Sequence, residues 1–164
     1  MAKKKQTVTN AMRILDKQGI QYETIEYDAG GEVGEHFGER IAELCGIAPE
    51  TSFKTLVVRG KELYVCCIPV CDELDLKKLA SKTGEKKVEM IHVRELLGLT
   101  GYIRGGVSPI GMKKKYRTFI DQSVKMHEKV AVSGGVCGLT LIMTPDDMLK
   151  ATDAEACDIT KKEN

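Results

Sequence analysis

The fold class is decided at residues 53–69, which read FKTLVVRGKELYVCCIP. Two apolar, β-branched runs, Phe53 to Val58 and Glu62 to Pro69, flank Arg59-Gly60-Lys61, a pattern typical of a β-hairpin. Segments with helical periodicity lie on both sides of it. Because the strands of a hairpin are antiparallel, we expect a single α/β (mixed α+β) domain with a mixed sheet rather than a purely parallel one.

Helix signals are found on both sides of the hairpin. Helices are predicted at 7–18, 36–45, 76–83, 93–97 and from 145 onward. Thr7 or Thr9, Asp75 and Thr144 are the expected N-caps, and Gly19 and Gly46 are expected to end the first two helices. Further strands are predicted at 20–27, 87–90, 118–121, 130–133 and 139–143.

Length and composition predict one globular domain. The chain has 164 residues, of which 42% are apolar and 30% charged, enough for a core of its own. Residues 1–6 and 160–164 are expected to be tails. The longest apolar run, Leu63 to Val70, is far shorter than the ~20 residues of a membrane span. No apolar segment follows Lys3-Lys4-Lys5, so we expect no secretory signal and a cytoplasmic location.

The charge is distributed unevenly along the chain. The whole sequence has a net charge of +1, with 25 Lys+Arg and 24 Asp+Glu. Residues 76–117 hold 11 of the bases and 3 of the acids, a net of +8, which leaves 14 bases and 21 acids, a net of −7, elsewhere. Such a basic segment favours an anionic partner, and nucleic acid is the commonest one.

Two glycine-rich segments are candidate binding loops. Residues 102–111 read YIRGGVSPIG and lie just before Lys113-Lys114-Lys115. Glycine allows backbone amides to converge on an anion or a carbonyl, and the neighbouring lysines favour a binding loop over a tight structural turn. The segment is not a P-loop. Residues 133–138, SGGVCG, fit a bulged hairpin turn at least as well as a functional role.

Lys54 lies on a strand face that it shares with Leu56 and Val58. Two interpretations are equally open at this point. It is either an edge-strand lysine that extends to water or a fixed charge in a cleft, aimed at a phosphate or a developing oxyanion.

The six cysteines are expected to be free and mostly buried, since a chain of this size does not need disulfides. Cys66 and Cys67 would point to opposite faces of a strand, no C-x-x-C pair exists, and the three histidines are scattered. A metal site and a cofactor are therefore not expected. Nothing resembles a nucleophile elbow, and so few histidines argue against histidine general-base catalysis.

Six motifs occur in an order that resembles the YbaK family of free-standing aminoacyl-tRNA deacylases, which are related to the editing domain of bacterial prolyl-tRNA synthetase. The resemblance covers residues 7–159 and is greatest to the subgroup that acts on Cys-tRNA(Pro) and Cys-tRNA(Cys). The motifs are Phe53-Lys54-Thr55-Leu56, Leu74-Asp75-Leu76-Lys77-Lys78, Lys86-Lys87-Val88-Glu89-Met90, Thr100-Gly101-Tyr102, Gly105-Gly106-Val107-Ser108-Pro109-Ile110-Gly111 and Val132-Ser133-Gly134-Gly135.

The resemblance implies a compact, mixed, partly barrel-like sheet surrounded by helices. It also implies trans-editing: the hydrolysis of cysteine from mischarged tRNA(Pro), in which the substrate's own thiol or the vicinal ribose hydroxyl attacks the ester. Because the ester is already activated, positioning and oxyanion stabilisation suffice, and neither cofactor nor metal is needed. Prolyl-tRNA synthetase is a candidate partner. The alternatives are a non-catalytic tRNA- or synthetase-binding module and an editing enzyme for another amino acid such as alanine.

The resemblance also assigns site residues. Catalytic roles fall on Lys54, Gly105 and Ser108, and substrate-binding roles on Tyr27, Phe37, Thr55, Gly106 and Pro109. The loop 28–36 departs from the family because it is glycine-rich and lacks an Asp-Pro or Asn pattern. Phosphate contacts to the acceptor stem of the tRNA are expected from the lysines of the basic segment. These are Lys77, Lys78, Lys82, Lys86, Lys87, Lys113, Lys114 and Lys115.

Overall fold

The fold is an α/β arrangement of eight strands and five α-helices, seen in a computed structural model that describes residues 8–28, 30, 34 and 36–161. The strands are β1 (Glu23–Glu26), β2 (Phe53–Arg59), β3 (Leu63–Pro69), β4 (Glu89–Met90), β5 (Arg117–Asp121), β6 (Val130–Ser133), β7 (Leu139–Met143) and β8 (Glu155–Cys157). The helices are α1 (Asn10–Lys17), α2 (Phe37–Cys45), α3 (Leu76–Thr83), α4 (Leu96–Thr100) and α5 (Pro145–Thr152). Short 3₁₀ turns occupy Pro49–Thr51, Val93–Glu95 and Gln122–Met126.

The larger sheet is built on the predicted hairpin. β2 and β3 pair antiparallel, with Lys54 opposite Ile68 and Arg59 opposite Leu63. The strand order is β4-β2-β3-β5-β8, and β5 is parallel to both β3 and β8. The predictions of a hairpin and of a mixed sheet are therefore confirmed.

A second, three-stranded sheet has the order β1-β7-β6 and is antiparallel throughout. A single parallel bridge between Ser52 and Ala131 joins it to the start of β2. The mixed fold with surrounding helices is confirmed. The strands divide into two sheets, however, and over the described residues they do not close into a barrel.

The core consists of two apolar clusters. One includes Cys67 together with residues of α1, β6, β7 and α5, and the other includes Cys66 together with residues of α3 and β5. The two adjacent thiols thus lie on opposite faces of β3, as predicted. Burying each large apolar side chain contributes about 1.5–3 kcal/mol of hydrophobic free energy, so the larger sheet is stabilised from both sides.

The helix ends follow local side-chain signals. The Thr9 hydroxyl accepts a hydrogen bond from the Met12 amide at 3.2 Å, and the Thr144 hydroxyl accepts one from the Asp147 amide, also at 3.2 Å. The Asp75 carboxylate accepts from the amides of Lys77 and Lys78, at 3.0 and 3.1 Å. These contacts confirm three predicted caps, each worth about 1 kcal/mol.

The C-terminal boundary of the domain differs from the prediction. Thr160 was expected in a tail, but it is only 7% exposed and bridges Leu74. The next amide, that of Lys161, donates to the Glu73 carbonyl at 3.0 Å. These backbone pairings hold residues 160 and 161 against the start of α3, so the predicted tail boundary is wrong. The predicted N-terminal tail, 1–6, lies outside the described residues.

No helix in the described part of the chain is long and apolar enough to cross a membrane.

Candidate active site

A cavity of about 440 Å³ opens between the two sheets and α2. Its walls come from β2, α2, the segment around β4 and the following 3₁₀ turn, the loop after α4, and strands β6 and β7. Most of the lining side chains are apolar, and seven are polar or charged: His36, Ser52, Lys54, Thr55, Arg104, Ser133 and Thr140. A concave, mainly apolar site with a few polar groups is typical of a small-ligand pocket.

Lys54 lies in this wall, half-buried on β2. Its ammonium is 3.5 Å from the Val70 carbonyl oxygen, at the limit of a hydrogen bond, and no carboxylate of the described residues forms an ion pair with it. β3 pairs with β2 at Lys54, whereas β4 pairs with β2 only at Val58 and Arg59, and Lys54 lies in the wall of the cavity. This placement favours a cleft lysine over an edge-strand lysine. Its catalytic role stays a prediction.

A carboxylate lies within electrostatic range of the Lys54 ammonium. Burial raises the pKa of Asp72, the charge of Asp121 adds to the rise, and Lys54 opposes it. Asp121 is itself only 4% exposed and accepts hydrogen bonds from Ser123 and from the Ile159 amide. Asp121 is therefore a structural residue, whereas Asp72 is a carboxylate that the Lys54 charge acts on without an ion pair between the two in the described residues.

The first glycine loop contributes Gly105 to the cavity wall. Gly105 has a φ of 89°, a conformation that favours glycine. Gly106 is not in the wall. Its amide donates to the Ile103 carbonyl at 2.9 Å, and a Cβ built on it would lie 2.9 Å from backbone atoms of Val136 and Cys137. Gly106 therefore serves the packing of the two glycine segments against each other.

Ser108 and Pro109 are buried beneath the loop rather than in the cavity wall. Ser108 has no exposed surface, and its hydroxyl accepts a hydrogen bond from the Ile110 amide at 3.3 Å. The Tyr102 hydroxyl donates to the Ile110 carbonyl at 2.6 Å. The structure gives Ser108 a loop-stabilising place and does not bring it to Lys54.

Tyr27, Phe37 and Thr55 do line the cavity with Lys54 and Gly105. The Tyr27 amide is held by the Gly138 carbonyl at 2.9 Å, and burial raises the pKa of its phenol, which keeps the hydroxyl neutral. Of the glycine-rich loop between Tyr27 and Phe37, only residues 28, 30, 34 and 36 are described. The structure thus unites five of the eight residues that the resemblance assigned to catalysis or substrate binding.

Ser133 and Thr140 are polar residues of the wall that the sequence reasoning did not select. They face each other across the β6–β7 pair, and the Ser133 hydroxyl accepts from the Gly135 amide at 3.3 Å. The second glycine segment is therefore a hairpin turn whose first residue reaches the cavity. One available signal was Thr140 itself, a polar residue within the apolar run of β7.

The protein's thiols are mainly in environments that keep them protonated. All six cysteines are free, and Cys66 and Cys67 are fully buried. Burial raises the pKa of the Cys67 thiol to about 12 and raises that of Cys45 as well. Cys71 and Cys137 are exposed, so the expectation that the thiols are mostly buried is wrong for these two.

Among the described residues, no three His, Cys, Asp or Glu side chains are close enough to hold a metal ion. The expectation of a metal-free, cofactor-free site stays a prediction.

The basic segment is partly neutralised by acids near the C-terminus. Lys78 contacts Asp158 at 3.0 Å, Lys82 contacts Glu155 at 2.5 Å, and Lys115 contacts Asp153 at 2.9 Å. Within the described ranges, the other lysines assigned to tRNA are exposed and form no ion pair. They are Lys77, Lys86, Lys87, Lys113 and Lys114. Those five are the better-placed candidates for phosphate contacts.

Comparison with known families shows which family the chain belongs to. Residues 36–151, which hold most of the wall, match the family model of the aminoacyl-tRNA editing domain. The chain belongs to this family. The family expected from the ordered motifs is thereby confirmed.

Two sequence relatives and one solved structure illustrate the range of this editing-domain family. A protein of Enterococcus faecalis, named "Putative Cys-tRNA(Pro)/Cys-tRNA(Cys) deacylase EbsC", is 42% identical over 99% of this chain and 100% of its own length. A proline–tRNA ligase of Kosmotoga olearia is 30% identical over 58% of this chain but only 17% of the ligase. A crystal structure described as a "putative trans-editing enzyme for prolyl tRNA synthetase" superposes with a TM-score of 0.83 at 23% identity, covering 96% of this chain and all of that one.

Proposed function

We propose that this chain is a trans-editing deacylase that hydrolyses the ester of Cys-tRNA(Pro), with Cys-tRNA(Cys) as a second substrate. The name of the Enterococcus relative, 42% identical over nearly the whole chain, supports this substrate class. The observation that carries the proposal is the position of Lys54, a cation without an ion pair among the described residues, in the wall of one apolar cavity beside Gly105. Such a cavity suits a small aminoacyl group, and the cation suits the charge that develops on its carbonyl oxygen.

The nucleophile in this proposal comes from the substrate. The thiol of the bound cysteine attacks its own ester carbonyl carbon, the bond from that carbon to the ribose oxygen breaks, and the leaving oxygen takes the thiol proton. Water then hydrolyses the resulting thioester and releases cysteine. The alternative nucleophile is the vicinal ribose hydroxyl, whose attack moves the aminoacyl ester to that oxygen. Water next attacks the carbonyl carbon, the new carbon–oxygen bond to the ribose breaks, the ribose oxygen regains a proton and cysteine is released. In either route the Lys54 ammonium stabilises the oxyanion, and the cavity walls hold the reacting groups together.

The protein's own thiols fit a non-catalytic role. The raised pKa values of the Cys45 and Cys67 thiols leave little thiolate at neutral pH, and the thiolate is the nucleophilic form. We further infer that the enzyme acts in the cytoplasm on the products of prolyl-tRNA synthetase. The alignment of part of this chain with proline–tRNA ligases supports that context, and direct contact with the synthetase remains a proposal.

The test is a deacylation panel with purified protein and Cys-, Ala-, Ser- and Pro-tRNA(Pro), together with Cys-tRNA(Cys). We expect Cys-tRNA(Pro) to be hydrolysed well above the uncatalysed rate and Ser-tRNA(Pro) much more slowly, because a hydroxyl is far less ionised than a thiol. Preferred hydrolysis of Ala-tRNA(Pro) would overturn the thiol mechanism. No hydrolysis, with retained tRNA binding, would instead indicate a binding module.

Lys54→Met isolates the charge in this assay. Methionine keeps most of the apolar stem, so we expect an unchanged melting temperature and a loss of roughly 10²–10³-fold in turnover, the usual cost of removing an oxyanion-stabilising group. Lys125→Met is the matched control, because Lys125 is exposed and outside the cavity wall. A Lys54→Met protein as active as the control would remove Lys54 from the mechanism.

A further inference from the structure

Four exposed apolar side chains belong to the cavity wall or stand next to its residues in the chain. Met90, Val93, Leu97 and Ile103 are 43%, 53%, 58% and 58% exposed, and we call this set the apolar rim. Met90 and Val93 also belong to the cavity wall, and Leu97 follows Val93 by one helical turn. Single exposed apolar residues are common, but a group of large ones beside a cavity marks a contact surface.

The backbone beneath the apolar rim is firmly attached to the larger sheet. The Ile91 amide donates to the Val57 carbonyl at 3.2 Å, and Glu95 accepts two hydrogen bonds from the Arg59 guanidinium, at 2.8 and 3.3 Å. Glu95 also accepts from the His92 amide at 3.0 Å. The exposed side chains are thus displayed on an ordered support, and a preformed surface loses little entropy when it binds a ligand.

Cations border the rim. Arg104 is exposed in the cavity wall next to Ile103, and Arg94 is exposed beside Val93. The Lys113 amide donates to the Thr100 carbonyl at the end of α4, which places a third cation nearby. None of the three forms an ion pair within the described residues. Of the neighbouring acids, Glu95 is paired with Arg59, and Glu89 is exposed on β4.

We propose that the apolar rim binds the unpaired bases at the 3′ end of an RNA strand, while Arg104 binds an adjacent phosphate. This inference rests on the proposed function and names the surface that holds the end of its substrate. Single-stranded RNA presents both chemistries at once, because its bases have exposed apolar faces and its backbone is anionic. A duplex hides the base faces by stacking.

Charge argues against a second copy of this chain as the occupant. In a symmetric dimer the same patch meets itself, so the cations that border the rim would be brought together across the interface. Like charges placed opposite each other at an interface are costly. An RNA end, in contrast, supplies the complementary negative charge.

The test measures binding, by fluorescence anisotropy, of a stem-loop RNA with a short single-stranded 3′ end and of the same RNA with abasic terminal nucleotides. We expect Leu97→Gln and Ile103→Gln each to weaken binding of the base-containing RNA about fivefold and to leave the abasic RNA unaffected. Met126→Gln is the control, because Met126 is 81% exposed and outside the cavity wall. Arg104→Gln should weaken binding of both RNAs. It should also lower, by about one, the magnitude of the slope of log binding constant against log salt concentration, which we call the salt slope.

Two results would overturn the inference: equal effects of the rim variants on the two RNAs, or no difference from Met126→Gln. Sedimentation of the wild type and of Leu97→Gln tests whether a second copy of the chain is the occupant instead. If the wild type self-associates and Leu97→Gln loses that self-association but binds RNA normally, the rim is a dimer surface and the inference is overturned as well. If RNA binding depends on the terminal bases but the protein does not deacylate, the proposed function is refuted and the RNA-binding surface stands. Deacylation with base-independent binding would remove only this inference.

Discussion

Gly106 allows two glycine-rich segments to touch, and Gly106→Ala tests that contact. A Cβ at this position would lie 2.9 Å from the Val136 Cα, the Val136 carbonyl carbon and the Cys137 nitrogen. All three are backbone atoms, so no flexible side chain can move aside. The loop of residues 101–111 and the turn between β6 and β7 must separate instead. Overpacking of this kind costs about 1–3 kcal/mol of unfolding free energy.

For a chain of this length, each kcal/mol shifts the melting temperature by about 2–4 °C, so the expected drop is roughly 2–12 °C. The assay is thermal unfolding followed by circular dichroism, with deacylation measured well below the transition. We also expect lower turnover in the folded variant, because the adjacent Gly105 lies in the cavity wall.

Gly98→Ala is the matched control for this substitution. Gly98 lies in α4 with nothing within 4 Å of its built Cβ, and alanine there should stabilise the helix by up to ~1 kcal/mol. If Gly106→Ala unfolds at the wild-type temperature, or if both variants lose equal stability, the contact argument is refuted.

Three further outcomes are expected. Lys86→Gln should lower the salt slope of tRNA binding by about one, whereas Lys82→Gln, whose lysine is paired with Glu155, should leave that slope unchanged. Cys137→Ser should fold normally and retain turnover, and loss of turnover would assign the nucleophile to a protein thiol. The hydrogen bond from the Tyr64 hydroxyl lowers the pKa of the Glu85 carboxyl in the folded protein. Ionised Glu85 therefore stabilises the fold above the carboxyl's unfolded pKa of about 4.3. The melting-temperature difference between wild type and Glu85→Gln should shrink as the pH falls below that value.

Much of the fold could be predicted because its signals are local. Thr9, Asp75 and Thr144 each cap a helix within three residues, and the β2–β3 hairpin is encoded within residues 53–69. Strand β8 and the division into two sheets were not predicted. They depend on pairings such as that of β8 with β5, in which Ala156 lies beside Ile120, and no short window of sequence contains both strands.

The candidate site was predictable only in part. Lys54, Thr55, Gly105, Tyr27 and Phe37 were assigned through the family motifs and do line one cavity. Ser108 and Pro109 were also assigned to the site, but both are buried outside the cavity wall. A glycine-rich sequence does not reveal which side chains of its loop turn inward. Likewise, a count of lysines gives the charge of a segment but not which of its charges are neutralised by acids distant in the chain.

The pairing of β1 with β7 has a consequence for the order in which the molecule is made. Glu23 of β1 lies opposite Ile142 of β7, so β1 can form this pairing only after β7 has been synthesised. Contacts between residues so far apart in sequence form late and slow folding. The cavity takes Tyr27 from one end of this span and Thr140 from the other. During synthesis on the ribosome the nascent chain can therefore form its central hairpin early, while the cavity is complete only when β7 has emerged.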